Sequence, residues 1–268
     1  MIHYIVAVFT GKRQNKVINA RLSDPAYLVK KHLFGLETLK LPDVVKATFV
    51  VSPSDNEARD QEVVEYVKNY DNKTGIEIDA YIKEDNLLFS YGSWNDAMEK
   101  NIENDEHFFL IEDDYFPCSD NFYEPFVKKM EETDSAYVCQ LWSDKFLSRP
   151  CAAISNGLMS IDAARFHHKK FRECLNLRKL KNRKALNHQQ GVTAQIHFLD
   201  GYQKLAFPIT DIAEEYGQPF LSPENRVFMY GNRVKGIMIK CESFGEVKTE
   251  PATYLRYSQI RITGSGDE

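Results

Sequence analysis

The feature that most constrains the fold is a regular alternation of short apolar runs with segments of helical periodicity in the first half of the chain. The apolar runs are Tyr4 to Phe9, Val44 to Val51 and Ile76 to Ile82. Between them, apolar residues recur at steps of three and four, which places them along one face of a helix. This alternation is typical of β-α-β units. It predicts the α/β class, with a mostly parallel central sheet flanked by helices.

Helix signals fall between these strands and continue after them. Asp24-Pro25 has the form of an N-cap with a first-turn proline, so we expect a helix from there to about Lys40. The same periodicity predicts helices around Val63 to Tyr70, over Leu87 to Asn104, around Phe122 to Met130, over Ile161 to Leu175 and over His188 to Leu199. Further strands are predicted over Tyr137 to Trp142, Ala152 to Ile154, Phe228 to Tyr230 and Val234 to Ile239.

No internal repeat or linker divides the 268 residues. We therefore expect one domain over residues 1–208 and a C-terminal extension over residues 209–268 that packs on it and ends in a few flexible residues. A chain of this length buries a large core without help from a metal, so a bound metal would serve chemistry.

The cysteines and the first apolar run bear on the compartment. The five cysteines are odd in number and contain no Cys-x-x-Cys pair, which argues against a disulfide framework. No basic residue precedes the first apolar run, and that run is too short to span a membrane. We expect a cytoplasmic protein with no transmembrane segment, either free, peripheral at a membrane, or in the cytoplasm of a virus-infected host.

An apolar run, Phe108 to Ile111, ends abruptly in three acids, Glu112-Asp113-Asp114. We interpret the run as a buried central strand, and ligands of open α/β sheets bind at the carboxyl ends of strands. Crowded carboxylates need a cation or a hydrogen-bond network to neutralise them. Oxygen ligands suit Mg²⁺ or Mn²⁺, which keep open positions that phosphate oxygens can fill. The sequence thus predicts a divalent metal that binds a diphosphate. The structural alternative is that the acids merely cap the following turn and helix.

On these residues the chain resembles nucleotide-sugar-dependent glycosyltransferases of the GT-A fold. The Asp-x-Asp motif of that family closes a central apolar strand and is similar to Phe109 to Asp114, with Glu112 in place of the first Asp. Three further segments resemble the family in the same order: Val51 to Asp55, Tyr91 to Ala97 and Ser155 to Ser160. The segment from His188 to Tyr202 has the layout of a family helix that usually opens with Glu-Asp, but both acids are absent here. The resemblance covers about residues 3–208.

The resemblance implies roles for individual residues. Asp114 would bind Mn²⁺ or Mg²⁺ directly, Glu112 would reach the metal through water or bind the ribose, and Asp113 would help to position the sugar. The rest of the nucleotide-sugar pocket would be lined by Thr10, Gly11, Asp55, Gly92 and Asn95.

The catalytic base stays open. His188-Gln189 occupies the position of the family's acids. His188 could accept the proton of the acceptor hydroxyl, act as a further metal ligand, or be an ordinary polar residue at a helix start. Gln189 and Asp144 are the other candidate catalytic residues, with Asp144 as the alternative base. A retaining mechanism would need no base, so the stereochemical outcome is also open.

One stretch of the chain is strongly basic. Residues 165–184 hold nine Lys or Arg and one acid, Glu173, so this stretch carries 9 − 1 = +8 within a chain of net charge −5. It could simply be a solvated surface. Alternatively, Lys179, Lys181, Arg183 and Lys184 could bind an acidic glycan, a lipid-diphosphate acceptor or the phosphate backbone of DNA.

These features predict a metal-dependent glycosyltransferase. It would move a sugar from a nucleotide-diphosphate donor, by family frequency a UDP-sugar, to a hydroxyl of a glycan or glycolipid. The alternatives are a phage-type transferase acting on hydroxylated DNA bases, a nucleotidyltransferase of the same fold, and a catalytically inactive module that binds a sugar or a partner. A P-loop, a Gly-x-Gly-x-x-Gly motif and a Gly-x-Ser-x-Gly elbow are absent from the sequence, which argues against NTPase, dehydrogenase and hydrolase readings. The sequence leaves the oligomeric state open.

Overall fold

A computed structural model of the chain describes residues 1–12, 23–117, 120–133, 137–139, 142–146, 149–152, 157–175, 209–211 and 238–240. Within them lie five helices and eleven strands. The helices are α1 (Tyr27–Thr38), α2 (Glu57–Lys68), α3 (Phe89–Lys100), α4 (Glu124–Thr133) and α5 (Ile161–Phe171). The strands are β1 (Ile2–Phe9), β2 (Val44–Ser52), β3 (Glu77–Ile82), β4 (His107–Glu112), β5 (Tyr115–Pro117), β6 (Tyr137–Cys139), β7 (Trp142–Phe146), β8 (Arg149–Ala152), β9 (Gly157–Met159), β10 (Ile209–Asp211) and β11 (Met238–Lys240).

Seven of the strands form the central sheet, in the order β10-β6-β9-β4-β1-β2-β3. β1 pairs in parallel with both β2 and β4, β2 pairs in parallel with β3, and β10 pairs in parallel with β6. Only β9 runs against its neighbours β4 and β6. The predicted α/β class, with a mostly parallel sheet flanked by helices, is confirmed.

Apolar side chains cover both faces of this sheet. Along β1, Tyr4, Val6 and Val8 pack into one core with α1, α2 and α4, whereas Ile5 and Ala7 pack into a second core with α3 and α5. Successive residues of a strand point to opposite faces, so a strand buried on both faces must be apolar throughout. This is why β1 and β4 appear in the sequence as continuous apolar runs.

Several element ends differ from the prediction for local reasons. The first helix begins at Tyr27 rather than at Pro25, because the Asp24 side chain accepts a hydrogen bond from the Ala26 amide at 2.9 Å and holds a turn there. The last predicted helix of the described part ends at Phe171, because Arg172 is left-handed, with φ 63°. Trp142 starts a separate strand, β7, which pairs with β8.

Two strands of the C-terminal extension pair with strands from residues 1–208. β10 lies at the edge of the central sheet beside β6, and β11 pairs with β5, a strand that the sequence did not predict. The predicted helix from His188 to Leu199 and the predicted strand from Phe228 to Tyr230 lie outside the described residues. Over the ranges given above, every helix is too short or too polar to cross a membrane.

Candidate functional site

The candidate site lies where the strand order reverses. From β1 the chain proceeds outward to β2 and β3, and then returns to β4 on the other side of β1. Helices that follow strands on opposite sides of such a point diverge, which leaves a crevice at the carboxyl ends of the two central strands. Here those ends are Phe9 and Glu112. The acidic turn Glu112 to Asp114 therefore lies at the topological switch point of the sheet.

Asp113 connects the two central strand ends. Its backbone N–H donates to the Ala7 carbonyl at 3.0 Å, and its Oδ2 accepts from the Phe9 backbone N–H at 2.9 Å. Asp113 is 3% exposed. These contacts hold the loop after β1 against the turn after β4, so this carboxylate organises the crevice. The predicted contact between Asp113 and the sugar stays a prediction.

The other two acids have different surroundings. Glu112 is half-buried, and its Oε1 accepts from the Ser90 hydroxyl at 3.0 Å. Asp114 is 8% exposed, and its charge acts to raise the pKa of the nearby His32. Among the residues described, no three His, Cys, Asp or Glu side chains are grouped as a metal-binding cluster. His188, the third predicted metal ligand, lies outside those residues.

His32 supports the acidic turn from helix α1. The ring is fully buried, its Nδ1 lies 2.8 Å from the Tyr4 hydroxyl, and its Nε2 lies 3.0 Å from the Asp113 carbonyl oxygen. A carbonyl can only accept, so Nε2 carries the proton and Nδ1 accepts from the tyrosine. Burial lowers the pKa of His32 to about 4, although the Asp113 carbonyl and the Asp114 charge act in the opposite direction. The imidazole is therefore neutral at pH 7.

The loop after β1 is also tied to the loop after β2. Asp60, in the first turn of α2 and 1% exposed, accepts hydrogen bonds from the Thr10 hydroxyl and from the Ser54 hydroxyl, the latter at 2.9 Å. Its second oxygen accepts from the Ser54 backbone N–H at 2.7 Å. One buried carboxylate thus fixes both loops that, by the resemblance, would hold a nucleotide. Thr10 and Gly11 lie in the first of these loops, and Asp55 is exposed in the second.

Helix α3 begins at the same edge of the sheet. The Ser93 hydroxyl lies 3.0 Å from the Ser52 hydroxyl at the end of β2. Gly92 is closely approached by the Leu87 carbonyl and by the Lys83 ammonium, and a Cβ at this position would overlap both. Lys83 is 7% exposed and donates to Leu87 O at 2.8 Å. The glycine therefore makes room for a contact within the protein at the start of the helix.

Asn95 is engaged by contacts within the protein. Its amide nitrogen donates to Glu99 at 2.8 Å, and its carbonyl accepts from the Leu175 backbone N–H at 2.9 Å. These contacts join α3 to the segment after α5. They leave the role of Asn95 in nucleotide binding a prediction.

The structure brings together only some of the predicted residues. Seven of them lie at the carboxyl ends of β1, β2 and β4 or at the start of α3: Thr10, Gly11, Asp55, Gly92 and the three acids. Asp144 lies in β7, in a separate two-stranded sheet. Six of the predicted site residues lie outside the described residues: His188, Gln189, Lys179, Lys181, Arg183 and Lys184. Within the basic stretch, Arg165 donates to the carbonyls of Ile102, Glu103 and Asn104 and pairs with Asp105, and so holds the turn after α3.

Three residues that support the site were missed from the sequence: His32, Asp60 and Ser90. His32 had a usable signal, since together with Val29, Leu33 and Leu36 it completes an i, i+3, i+4, i+7 pattern that places it on the buried face of α1. Asp60 and Ser90 carry no comparable signal, because their partners are distant in sequence or come from another loop.

Comparison with known proteins does not assign the chain to a family. No protein-family model matches it, and neither does any curated protein sequence. Among solved structures, S. aureus TarS is similar over 52% of this chain and 21% of that chain, with 12% identity and a TM-score of 0.32. A structure of TarS residues 1–349 is similar over 53% and 36%, with 15% identity and a TM-score of 0.34.

A third solved structure is similar over a larger share of both chains. It is a Bacillus anthracis protein assigned as a glucose-1-phosphate thymidylyltransferase, in complex with a sucrose, and the similarity covers 79% of this chain and 86% of that chain, with 11% identity and a TM-score of 0.41. The chain spans well under two thirds of either TarS structure. All three similarities are weak.

Proposed function

We propose that the protein is a metal-dependent glycosyltransferase of the GT-A type, which transfers a sugar from a nucleotide-diphosphate donor, UDP-sugar in the first instance, to a hydroxyl of a glycan. The observation that carries the proposal is the position of Glu112, Asp113 and Asp114 at the switch point between β1 and β4. That is where open α/β sheets bind ligands. The sequence resemblance independently favours a nucleotide-sugar for the crevice.

The donor set suits a hard divalent cation. Carboxylate oxygens are the ligands that Mn²⁺ and Mg²⁺ prefer, and Asp114 and Glu112 would hold the ion. When bound, the ion supplies positive charge to the departing diphosphate, which gains negative charge as the glycosidic bond breaks. Glu112 is already oriented by Ser90, and Asp113 by Phe9. These contacts fix the acids before the donor arrives, which favours stabilisation of the transition state.

The chain's other residues hold the nucleotide side of the crevice. Asp60 fixes the Thr10 and Ser54 loops, and the Ser52–Ser93 contact fixes the start of α3 beside them. Of the candidates for binding the acceptor and removing its proton, Asp144 lies in β7, whereas His188 and residues 176–184 of the basic stretch lie outside the described residues. The proposal specifies the acceptor as a hydroxyl of a glycan and does not extend to the stereochemical course.

The proposal is tested by binding and turnover of UDP-sugars. We expect UDP to raise the thermal stability only when Mn²⁺ is present, by about 2.7 kcal/mol at a hundred times its dissociation constant. Slow hydrolysis of a UDP-sugar should require Mn²⁺ and should be lost in Asp114→Asn. The matched control is Asp71→Asn, because the Asp71 side chain is 89% exposed in the loop between α2 and β3. It should bind and turn over like the wild type.

Two other results would change the assignment. Binding of UDP without turnover of any donor would favour an inactive binding module, an alternative that the absence of the family's Glu-Asp at His188-Gln189 supports. An effect of Mn²⁺ and UDP that is unchanged in Asp114→Asn would contradict the proposed site.

A further inference from the structure

The peptide group that joins Asp113 to Asp114 is held by a side chain from another element. Its carbonyl oxygen accepts from His32 Nε2 at 3.0 Å. A peptide group is planar, so fixing its oxygen also fixes the direction of the Asp114 N–H and Cα. The remaining Asp113 groups are fixed from β1, by the Ala7 carbonyl and the Phe9 amide. The carboxylate of Asp114 therefore projects from a backbone whose orientation His32 determines.

The histidine is itself fixed in one tautomer. Tyr4, on β1, is fully buried, and burial raises the pKa of its phenol well above the usual value, so the hydroxyl keeps its proton. The Asp113 carbonyl can only accept, so the ring proton is on Nε2, and Nδ1 accepts from the Tyr4 hydroxyl at 2.8 Å. The chain of contacts from Tyr4 through His32 to the Asp113 carbonyl is thus directional.

Aromatic packing holds both rings of this chain in place. Tyr4 stacks on Phe109 at 6.1 Å between centroids and meets the edge of Phe122 at 5.8 Å. His32 meets Phe49 edge-on at 6.1 Å. Rings packed in this way have little freedom to change rotamer, so the hydrogen bond to Asp113 is preformed.

We infer that His32 is a positioning residue for the metal-binding acids, with Tyr4 as the residue that holds its ring through Nδ1. The inference rests on the proposed function and adds a residue to that site. His32 does not touch the ion or the donor; it acts through the Asp113–Asp114 peptide. Removal of a residue that orients a metal ligand by a hydrogen bond typically weakens metal affinity by about 10–100-fold.

The test compares the Mn²⁺ affinity of four variants in the presence of UDP. The concentration of free Mn²⁺ in solution is measured by EPR. In His32→Met, which keeps the volume but lacks the donor, we expect the Mn²⁺ dissociation constant to rise by about tenfold. His32→Gln retains an N–H near the position of Nε2 and should recover most of the affinity. Tyr4→Phe removes only the hydroxyl and should give an intermediate loss, because the His32 ring loses its hydrogen bond at Nδ1 and is held less firmly against Asp113.

The matched control is His3→Met. His3 is also fully buried on β1, but its Nε2 contacts Thr48 at 2.7 Å and it lies near the start of the strand, away from the acidic turn. This variant should lose stability in urea and keep wild-type Mn²⁺ affinity. Nitrogen NMR of the His32 ring, measured without metal, should show a proton on Nε2 in the wild type and in Tyr4→Phe; a proton on Nδ1 would contradict the contact with Asp113.

The outcomes separate the two proposals. A wild-type chain that binds neither Mn²⁺ nor UDP would overturn the proposed function and, with it, the positioning role. Normal binding by the wild type with unchanged affinity in Tyr4→Phe and in a folded His32→Met would overturn the positioning role alone. If His32→Met does not fold, Tyr4→Phe and the tautomer measurement decide.

Discussion

Asp60 illustrates how a single polar residue is stabilised at the carboxyl edge of the sheet. It belongs to helix α2, yet its carboxylate faces the ends of two strands and accepts from Thr10 and from both donors of Ser54. A buried carboxylate is tolerated only when such donors satisfy it. Removing it would take an acceptor from the buried Thr10 hydroxyl and from the half-buried Ser54 backbone N–H and hydroxyl, which costs more than the loss of an exposed hydrogen bond.

Replacing this residue should therefore affect stability strongly. We expect Asp60→Ala to lower the free energy of unfolding by on the order of 3 kcal/mol, measured by urea denaturation. The control is Asp55→Ala, five residues earlier and exposed, which should stay within about 0.5 kcal/mol of the wild type. Equal stability of the two variants would contradict the role assigned to Asp60. If Asp55 contacts the nucleotide as predicted, its variant should instead weaken UDP binding.

At the scale of elements, helix α3 depends on a close internal contact at its first turn. The helix is preceded by Leu88 in the left-handed region, with φ 65°, and within the described part of the chain no side chain caps its N-terminus. The neighbouring Lys83 holds the preceding loop, because its ammonium donates to Leu87 O and pairs with Asp85 at 3.2 Å. Gly92 leaves the space in which this contact forms.

Gly92→Ala should destabilise the protein although alanine is the better helix former. The gain in helix propensity is about 1 kcal/mol, but overpacking costs about 1–3 kcal/mol, and the Leu87 carbonyl belongs to the backbone and cannot move aside easily. We expect a net loss of about 1 kcal/mol in urea denaturation. Gly75→Ala is the control, because a Cβ there meets nothing within 4 Å. A stabilised Gly92→Ala would show that the loop before α3 relaxes freely.

The same scale shows where local signals were sufficient. β1, β2 and β4 were predicted because strands that are buried on both faces are mostly apolar. The boundaries of α1 and α5 were less accurate, since they depend on a side-chain contact of Asp24 and on the left-handed Arg172. β5 was not predicted. Its partner β11 comes from more than a hundred residues later, and only that pairing makes Tyr115–Pro117 a strand.

At the scale of the whole molecule, buried neutral histidines make stability depend on pH. Burial, and to a lesser degree the charge of Lys46, lowers the pKa of His3 to about 3. In the unfolded chain the ring titrates near 6.5, so below that pH the unfolded state binds a proton that the folded state does not. The contribution of His3 is therefore complete above pH 6.5 and is lost as the pH falls toward 3. His32 acts in the same direction.

We expect the free energy of unfolding to fall between pH 7 and pH 5, with His3 contributing about 2 kcal/mol of the loss. Urea denaturation at the two pH values, for the wild type and for His3→Met, measures this contribution. The variant should be less stable at pH 7 but should lose about 2 kcal/mol less on acidification. An identical pH dependence in both proteins would mean that His3 is protonated in the folded state.

The sequence by itself determined the class of fold and the position of the acidic turn, because helical periodicity, apolar strands and turn residues are local properties of the chain. Only the tertiary structure decided which residues support that turn. Each of His32, Asp60 and Ser90 has a partner between 22 and 81 positions away, namely Asp113, Thr10 and Glu112, and no local pattern encodes such contacts. The strand order was likewise decided by tertiary packing: it depends on which side of β1 the chain crosses to reach β4, and that choice places the acids at the topological switch point of the sheet.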